Sequence, residues 1–214
     1  MSDKVFQSSR EDLIRAAKKV FAQLGYEKAT IKDLADEAGV NVSAISYYFG
    51  GKEALYEFCI QDFAQSQMGF ADRFLKMPKN REDFKLRLRL FSEEFLQLHL
   101  KESSLCTILH RDFEAKNPIA MKLFKSSFFP IFKSLENFLV AGKKLKILRH
   151  DLDPQLATFF IFGMLVHMHK ADAMRKEVLG TSISNPKDFD ASINYFIEIS
   201  LSGILKDEAH GATK

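Results

Sequence analysis

Between residues 30 and 52 the chain gathers hydroxyl and ammonium donors: Thr30, Lys32, Ser43, Ser46, Tyr47, Tyr48 and Lys52. Such groups suit phosphate oxygens. The two tyrosines and Lys52 can donate to phosphates flanking a groove, with Lys52 beside a helix N-terminus where an anion is already favoured. Thr30 and Lys32 can clamp the same strand. The stretch NVSAISYYFGGKEAL, residues 41–55, arranges the rest. With Ile45 centred on a buried face at about 100° per residue, Val42 and Phe49 fall on the same side. Ser43 and Tyr47 then point away, with Ala44 and Ser46 on the flanks. An outer face this small and polar can lie against base edges in a major groove.

The flanking segments must position that face. Leu13, Ala16, Ala17, Val20, Phe21 and Leu24 follow helical spacing, and Gly25 supplies a C-cap, so the first helix is expected over about Ser9 to Leu24. Thr30 with Asp33 three residues on opens a short helix through Ile31, Leu34 and Ala35 that stops at Gly39. A third helix starts near Val42. Small Ala35 allows a close crossing and Gly39 can take positive φ, so Ala35, Gly39 and Ile45 sit at helix-turn-helix offsets. Any short helix pair joined at a glycine shares that bare pattern; the Tyr-Tyr-Phe-Gly-Gly-Lys-Glu extension is more selective.

The run Thr30 to Asn41 followed by Ile45 to Leu55 resembles the N-terminal DNA-binding domain of TetR-type transcriptional regulators, over about Ser9 to Tyr56. The resemblance implies that Lys32, Val42, Ser43, Ala44, Ser46, Tyr47, Tyr48 and Lys52 occupy operator-contacting positions. It departs from the family at Ser46, where members often carry Tyr, which removes a possible phosphate or base contact. Asn41 replaces a frequent Ser or Thr, exchanging one good N-cap for another. The resemblance also implies an all-α protein: a three-helix helix-turn-helix domain at 1–51, then a larger helical effector-binding and dimerisation domain at 52–214.

Periodicity beyond the turn supports that length of helix. One long helix is expected from Lys52 to Lys76, closed by Met77-Pro78. Five more are expected near 81–100, 103–115, 118–142, 154–174 and 187–206, about nine in all, with loops at 143–153 and 175–186. Pro130 should kink or split its helix. Of the 21 phenylalanines, Phe91, Phe95, Phe113, Phe124, Phe128, Phe129 and Phe132 fall in the middle helices. They can line a cavity for a small apolar or aromatic effector, Phe91, Phe95, Phe113, Phe124, Phe128 and Phe132 above all; a plain core using Phe where Trp is absent is the alternative.

The 154–174 helix is apolar nearly all round and needs a second partner. With the 187–206 helix, where small Ser200 and Gly203 allow close approach, it fits a four-helix homodimer interface of the kind the family uses. A dimer matches two half-sites of a near-palindromic operator on double-stranded DNA.

Other classes are disfavoured. The formal net charge is only +3, and residues 1–52 hold eight Lys/Arg against seven Asp/Glu, so a DNA reading rests on where cations sit. Cys59 and Cys106 are far apart, which argues for a reducing cytoplasm without a disulfide framework. The apolar run Leu156 to Val166 is too short for a bilayer, so no membrane association is expected. Cys106, His110 and His99 lack a carboxylate at ligand spacing, and no metal is expected. No phosphate loop, nucleophile elbow or His-Glu helix motif occurs, so neither a cofactor nor an enzyme is expected. The function expected is a repressor released from its operator by a small effector. The alternative is a DNA-binding protein whose C-terminal domain binds a protein partner.

Overall fold

A computed structural model describes residues 2–205, with side chains from residue 9 onward. The all-α expectation holds. The helices are α1 (Ser2–Leu24), α2 (Ile31–Ala38), α3 (Ser43–Phe49), α4 (Lys52–Phe74), α5 (Arg81–Lys101) and α6 (Ser103–Glu114). After them come α7 (Pro118–Leu123), a π-helical turn (Phe124–Phe128), α8 (Phe129–Lys144), α9 (Pro154–Lys170), α10 (Asp172–Leu179) and α11 (Pro186–Ile204). The expected end of the last helix at residue 206 lies outside the described residues.

Three helices begin with the same device. Asn117-Pro118, Asp153-Pro154 and Asn185-Pro186 each put an acceptor side chain at the N-cap and proline at the first helical position. Asp153 Oδ1, for example, accepts from the amides of Gln155 and Leu156 at 2.8 and 3.1 Å. Proline costs nothing there because its missing N–H is unpaired in any helix start.

Three expectations are corrected. The first helix begins well before Ser9. The helix expected over 118–142 is interrupted: Phe129 N–H reaches back to the Phe124 carbonyl, a π turn that ends two residues before Pro130 and makes room for its ring. The helix expected to 174 ends at Lys170, and the first part of the loop expected over 175–186, residues 175–179, is helical as α10. Asp172 opens α10 and holds the returning chain, accepting from Ser182 Oγ and the Ile183 amide, each at 2.7 Å. Met174, Val178 and Leu179 of α10 are exposed, so no inward apolar stripe announces it.

The chain divides into two compact units, Met1–Ser66 with Glu102–Phe129, and Gln67–Lys101 with Pro130–Lys214. The core of the first joins Leu13, Ala17 and Phe21 of α1 to Leu34, Ile45, Leu55 and Ile108, all fully buried. Cys59 and Cys106 are buried free thiols within it, and burial pushes each up to about 12.

In the second unit Phe84 stacks on Phe138 at 4.5 Å, while Phe91, Phe95, Phe132 and Phe162 form a further aromatic cluster. Buried His99 stacks on Phe95 at 3.9 Å and sets Nδ1 2.7 Å from the Phe95 carbonyl, which can only accept, so the proton is on Nδ1. His169 meets His99 edge-on at 5.6 Å, and its buried Nδ1 has no hydrogen-bond partner. Burial lowers its affinity for a proton below the ordinary imidazole value of 6.5, outweighing opposing effects of Asp172 and of the His99 backbone.

The unfolded chain therefore takes up this proton more readily than the folded one. The contribution is intact above about pH 6.5 and is lost as pH falls below it. Urea unfolding between pH 5 and 7.5 should show stability declining on the acid side, and His169→Gln should flatten that decline. An unaltered profile would exclude His169 as its source.

Candidate nucleic-acid interface

The helix-turn-helix is built from α2 and α3. Thr30 Oγ1 accepts from the Asp33 amide at 3.1 Å, and Asp33 Oδ2 accepts from the Thr30 amide at 2.8 Å, a reciprocal capping box. The Thr30 hydroxyl and amide hold the Asp33 carboxyl below its usual range. Gly39 ends α2 at φ 67°, which lets Val40 N–H bond back to the Ala35 carbonyl at 3.0 Å and sends the chain into α3. Asn41 Oδ1 then accepts from the Ser43 amide and hydroxyl at 2.9 and 2.8 Å, taking the capping role expected of it. Gly50 and Gly51, at φ 85° and 138°, turn the chain from α3 into α4.

Below this frame Leu34, Ala35 and Ile45 are sealed from solvent. Phe49 is half-buried against Phe58, and the Arg10 guanidinium covers both rings at 5.2 and 4.6 Å. Above it, Lys32, Ser43 and Ser46 are exposed, Tyr47 is 73% exposed, and Ala44 and Tyr48 are half-buried. The two tyrosine rings meet edge to face at 5.1 Å.

Val42 departs from the helical-wheel placement. It is 47% exposed although its backbone is already helical, at φ −52° and ψ −36°, so it stands on the outer surface at the start of α3 where no neighbour covers it.

Thr30 and Lys52 carry commitments that spacing does not reveal. Thr30 spends its donors on Asp33. Lys52 Nζ donates to the carbonyls of Tyr26 and Ala29 at 2.9 and 3.0 Å and stands 4.4 Å over the Tyr26 ring. Two of its three N–H bonds serve the scaffold, and one is left for a phosphate.

A second set of positioning residues lies on α6. Arg111 donates to the Phe21 and Ala22 carbonyls at 2.6 and 3.0 Å, covering the C-terminal end of α1, where the Phe21 carbonyl also accepts from the Gly25 amide at 2.9 Å. Its neighbour Asp112 is buried and accepts from the Tyr56 hydroxyl at 2.6 Å, and burial together with that bond raises the Tyr56 phenol. Tyr56 packs on Tyr26, whose face carries Lys52, so contacts run unbroken from α6 to the start of α4. Lys18 pairs with Glu102 at 2.8 Å beside them. His110-Arg111-Asp112 is legible as a charge cluster, but its partners lie about ninety positions away and nothing local identifies them.

Comparison with known proteins agrees with this geometry. The family model described as "Bacterial regulatory proteins, tetR family" matches residues 13–59, from the middle of α1 into α4. The fatty acid metabolism regulator protein of Bacillus subtilis (strain 168) is 24% identical over 194 residues, 90% of this chain and 93% of that protein. The dual transcriptional regulator CecR of Shigella flexneri is 44% identical over 55 residues, 26% of this chain and 24% of that protein. Among solved structures, the transcriptional regulator FadR from Bacillus subtilis in complex with stearoyl-CoA superposes with a TM-score of 0.69 at 22% identity, covering 90% of this chain and 98% of that one. The helix-turn-helix with this outward face lies within the residues that the family model matches, so residues 13–59 are a tetR-family helix-turn-helix segment, in a chain that is similar over most of its length to transcriptional regulators.

Proposed function

We propose that the chain is a cytoplasmic, dimeric repressor that reads a near-palindromic operator with residues 1–51 and uses residues 52–214 to dimerise and to bind a small effector. The observation that carries the reading is the surface of α3. Ser43, Ser46 and Tyr47 face outward above a sealed Leu34, Ala35 and Ile45. Small side chains there give little bidentate base recognition, so groove shape has a large share in specificity. Lys32, Tyr47, Tyr48 and the remaining N–H of Lys52 serve the flanking phosphates.

Dimerisation is assigned to α9 and α11. Leu156, Phe159 and Phe160 form one exposed stripe on α9, and Tyr195 and Ile199 another on α11. Gly203 faces outward as a close approach requires, whereas Ser200 is buried in its own unit. The effector is assigned to the aromatic cluster of the second unit, where Phe91, Phe95 and Phe132 lie with Phe162, His99 and His169. Phe113, Phe124 and Phe128 cluster in the first unit instead. Neither of two cavities in the second unit, of ≈360 and ≈790 Å³, is lined by any of these six phenylalanines, so entry among the rings requires them to part. Long-chain acyl thioesters are the first class to test, because a related fold holds stearoyl-CoA. Such an effector would favour a dimer whose reading helices no longer match adjacent grooves.

A protein partner in place of a small effector draws on α10, where Val178 and Leu179 are 70% and 65% exposed. Release of bound DNA by an acyl thioester would remove that reading.

The test is a DNA titration over a range of salt, using fragments selected from genomic DNA. Tyr47→Ala should weaken binding with an unchanged unfolding midpoint. Lys52→Ala should weaken binding, shift the salt slope by at most about 1, and cost about 1–2 kcal/mol of stability from its lost carbonyl bonds. Unchanged DNA affinity in both variants would refute the assignment.

A further inference from the structure

The last turn of α8 and the first part of the loop after it carry a run of positive charge. Residues 143–151 contain four Lys/Arg and one Asp, a local +3, equal to the formal net charge of the whole chain. Lys143, Lys146, Arg149 and His150 line a cavity of ≈790 Å³ together with Asp151, Leu148, Ser202, Gly203 and Leu205. Cations at the ends of α8 and α11 offset two helix C-termini, but one or two would suffice for that.

The frame beneath these charges is fixed. Ile147 N–H bonds the Gly142 carbonyl at 3.0 Å, and Arg149 N–H bonds the Ile204 carbonyl at 3.0 Å beside an antiparallel bridge from Leu148 to Leu205. A Cβ on Gly142 would stand 3.0 Å from Leu148 and Phe84, so the loop is packed closely on α8. Lys146 holds φ 57° at the position after α8 where glycine would be free of strain. Its ammonium is exposed and has no ion-pair partner among the described residues, while Lys143 Nζ is tied to the Leu152 carbonyl at 2.5 Å and Arg149 to Asp151 at 3.3 Å.

We propose that this cavity binds a phosphate-bearing small molecule of nucleotide size, its diphosphate held by Lys143, Lys146 and Arg149. With Asp151 offsetting one of the three cations, two phosphoryl charges match the net +2 of Lys143, Lys146, Arg149 and Asp151, and the volume falls within the range of small-molecule sites. Leu148 and Leu205 supply an apolar floor for the rest of the ligand. Because the bridge fastens the loop to the last residues of α11, occupancy stabilises the end of that helix. The site shares Gly203 with the α11 surface assigned to dimerisation but is independent of the DNA-binding and effector assignments, and DNA titration scores those separately.

Calorimetric titration of the full chain with inorganic pyrophosphate and with ADP, in about 0.1 M salt, tests it. Saturable binding with Kd below about 1 mM is expected for both, with orthophosphate weaker. Lys146→Gly relieves the backbone strain while deleting the charge. It should fold at least as stably yet bind about fivefold more weakly, and adding Arg149→Gln should extend the loss to about 20-fold. The double change Lys101→Glu and Lys125→Glu, which alters exposed charges elsewhere, should leave binding intact. The proposal is overturned by an absence of saturable binding, by equal loss in that control, or by binding of anionic phosphatidylglycerol vesicles that pyrophosphate does not displace.

Discussion

Phe160→Glu is expected to leave the protein monomeric and to weaken operator binding by about 10³-fold or more. Phe160 is 71% exposed in the isolated chain, and with Leu156 and Phe159 it forms an apolar stripe that α9 cannot bury against its own unit. A fully buried Phe contributes about 1.5–3 kcal/mol, and a two-fold axis counts each contact twice. In the proposed dimer the substitution would lose that burial and place two carboxylates in an apolar contact, each costing several kcal/mol unless paired. A monomer engages one half-site, and the affinity supplied by the second is forfeited.

Sedimentation velocity reads the first effect and DNA titration at fixed salt reads the second. Phe160→Leu, which keeps the apolar contact, should preserve both. A dimer of undiminished DNA affinity in the Glu variant would mean that another surface makes the interface.

Periodicity reveals a helix only where one face is consistently apolar and that face is the buried one. It therefore locates α2 and α5 closely. It misses α10, whose Met174, Val178 and Leu179 point outward and whose start is held by the Asp172 bonds to Ser182 and Ile183. The wheel places Val42 beside Ile45 because it counts angle alone; at the first turn of α3 no neighbour covers that side, and Val42 is 47% exposed despite its helical backbone. Around the reading helix, residue types show what can donate to a phosphate but not which donors are already spent. Lys52 exemplifies the difference, since its Tyr26 and Ala29 acceptors lie across a turn whose path the sequence does not disclose. The six phenylalanines look like one group because their helices are neighbours in sequence. In space Phe113, Phe124 and Phe128 pack in one compact unit, and Phe91, Phe95 and Phe132 in the other.

The contacts of Arg111 are long-range in the same way, and deleting them should be costly. Arg111→Ala is expected to lower stability by about 3 kcal/mol, moving the thermal midpoint down by about 6–12 °C for a chain of this size. The side chain spans two α1 carbonyls and Asp112, so its removal uncovers a helix terminus and leaves a carboxylate, 5% exposed, with only the Tyr56 hydroxyl beside it. Arg111→Lys keeps the charge but cannot fork across both carbonyls and the carboxylate, so it should recover about half of the loss. Tyr56→Phe removes the other donor to Asp112. Because both changes strip the same carboxylate, the double variant should lose more than the sum of the single losses: after either change, the remaining donor is the last compensation for a buried charge. Simple additivity in denaturant titrations would show that Asp112 finds water or another partner, and would reduce Arg111 to a cap for α1 alone.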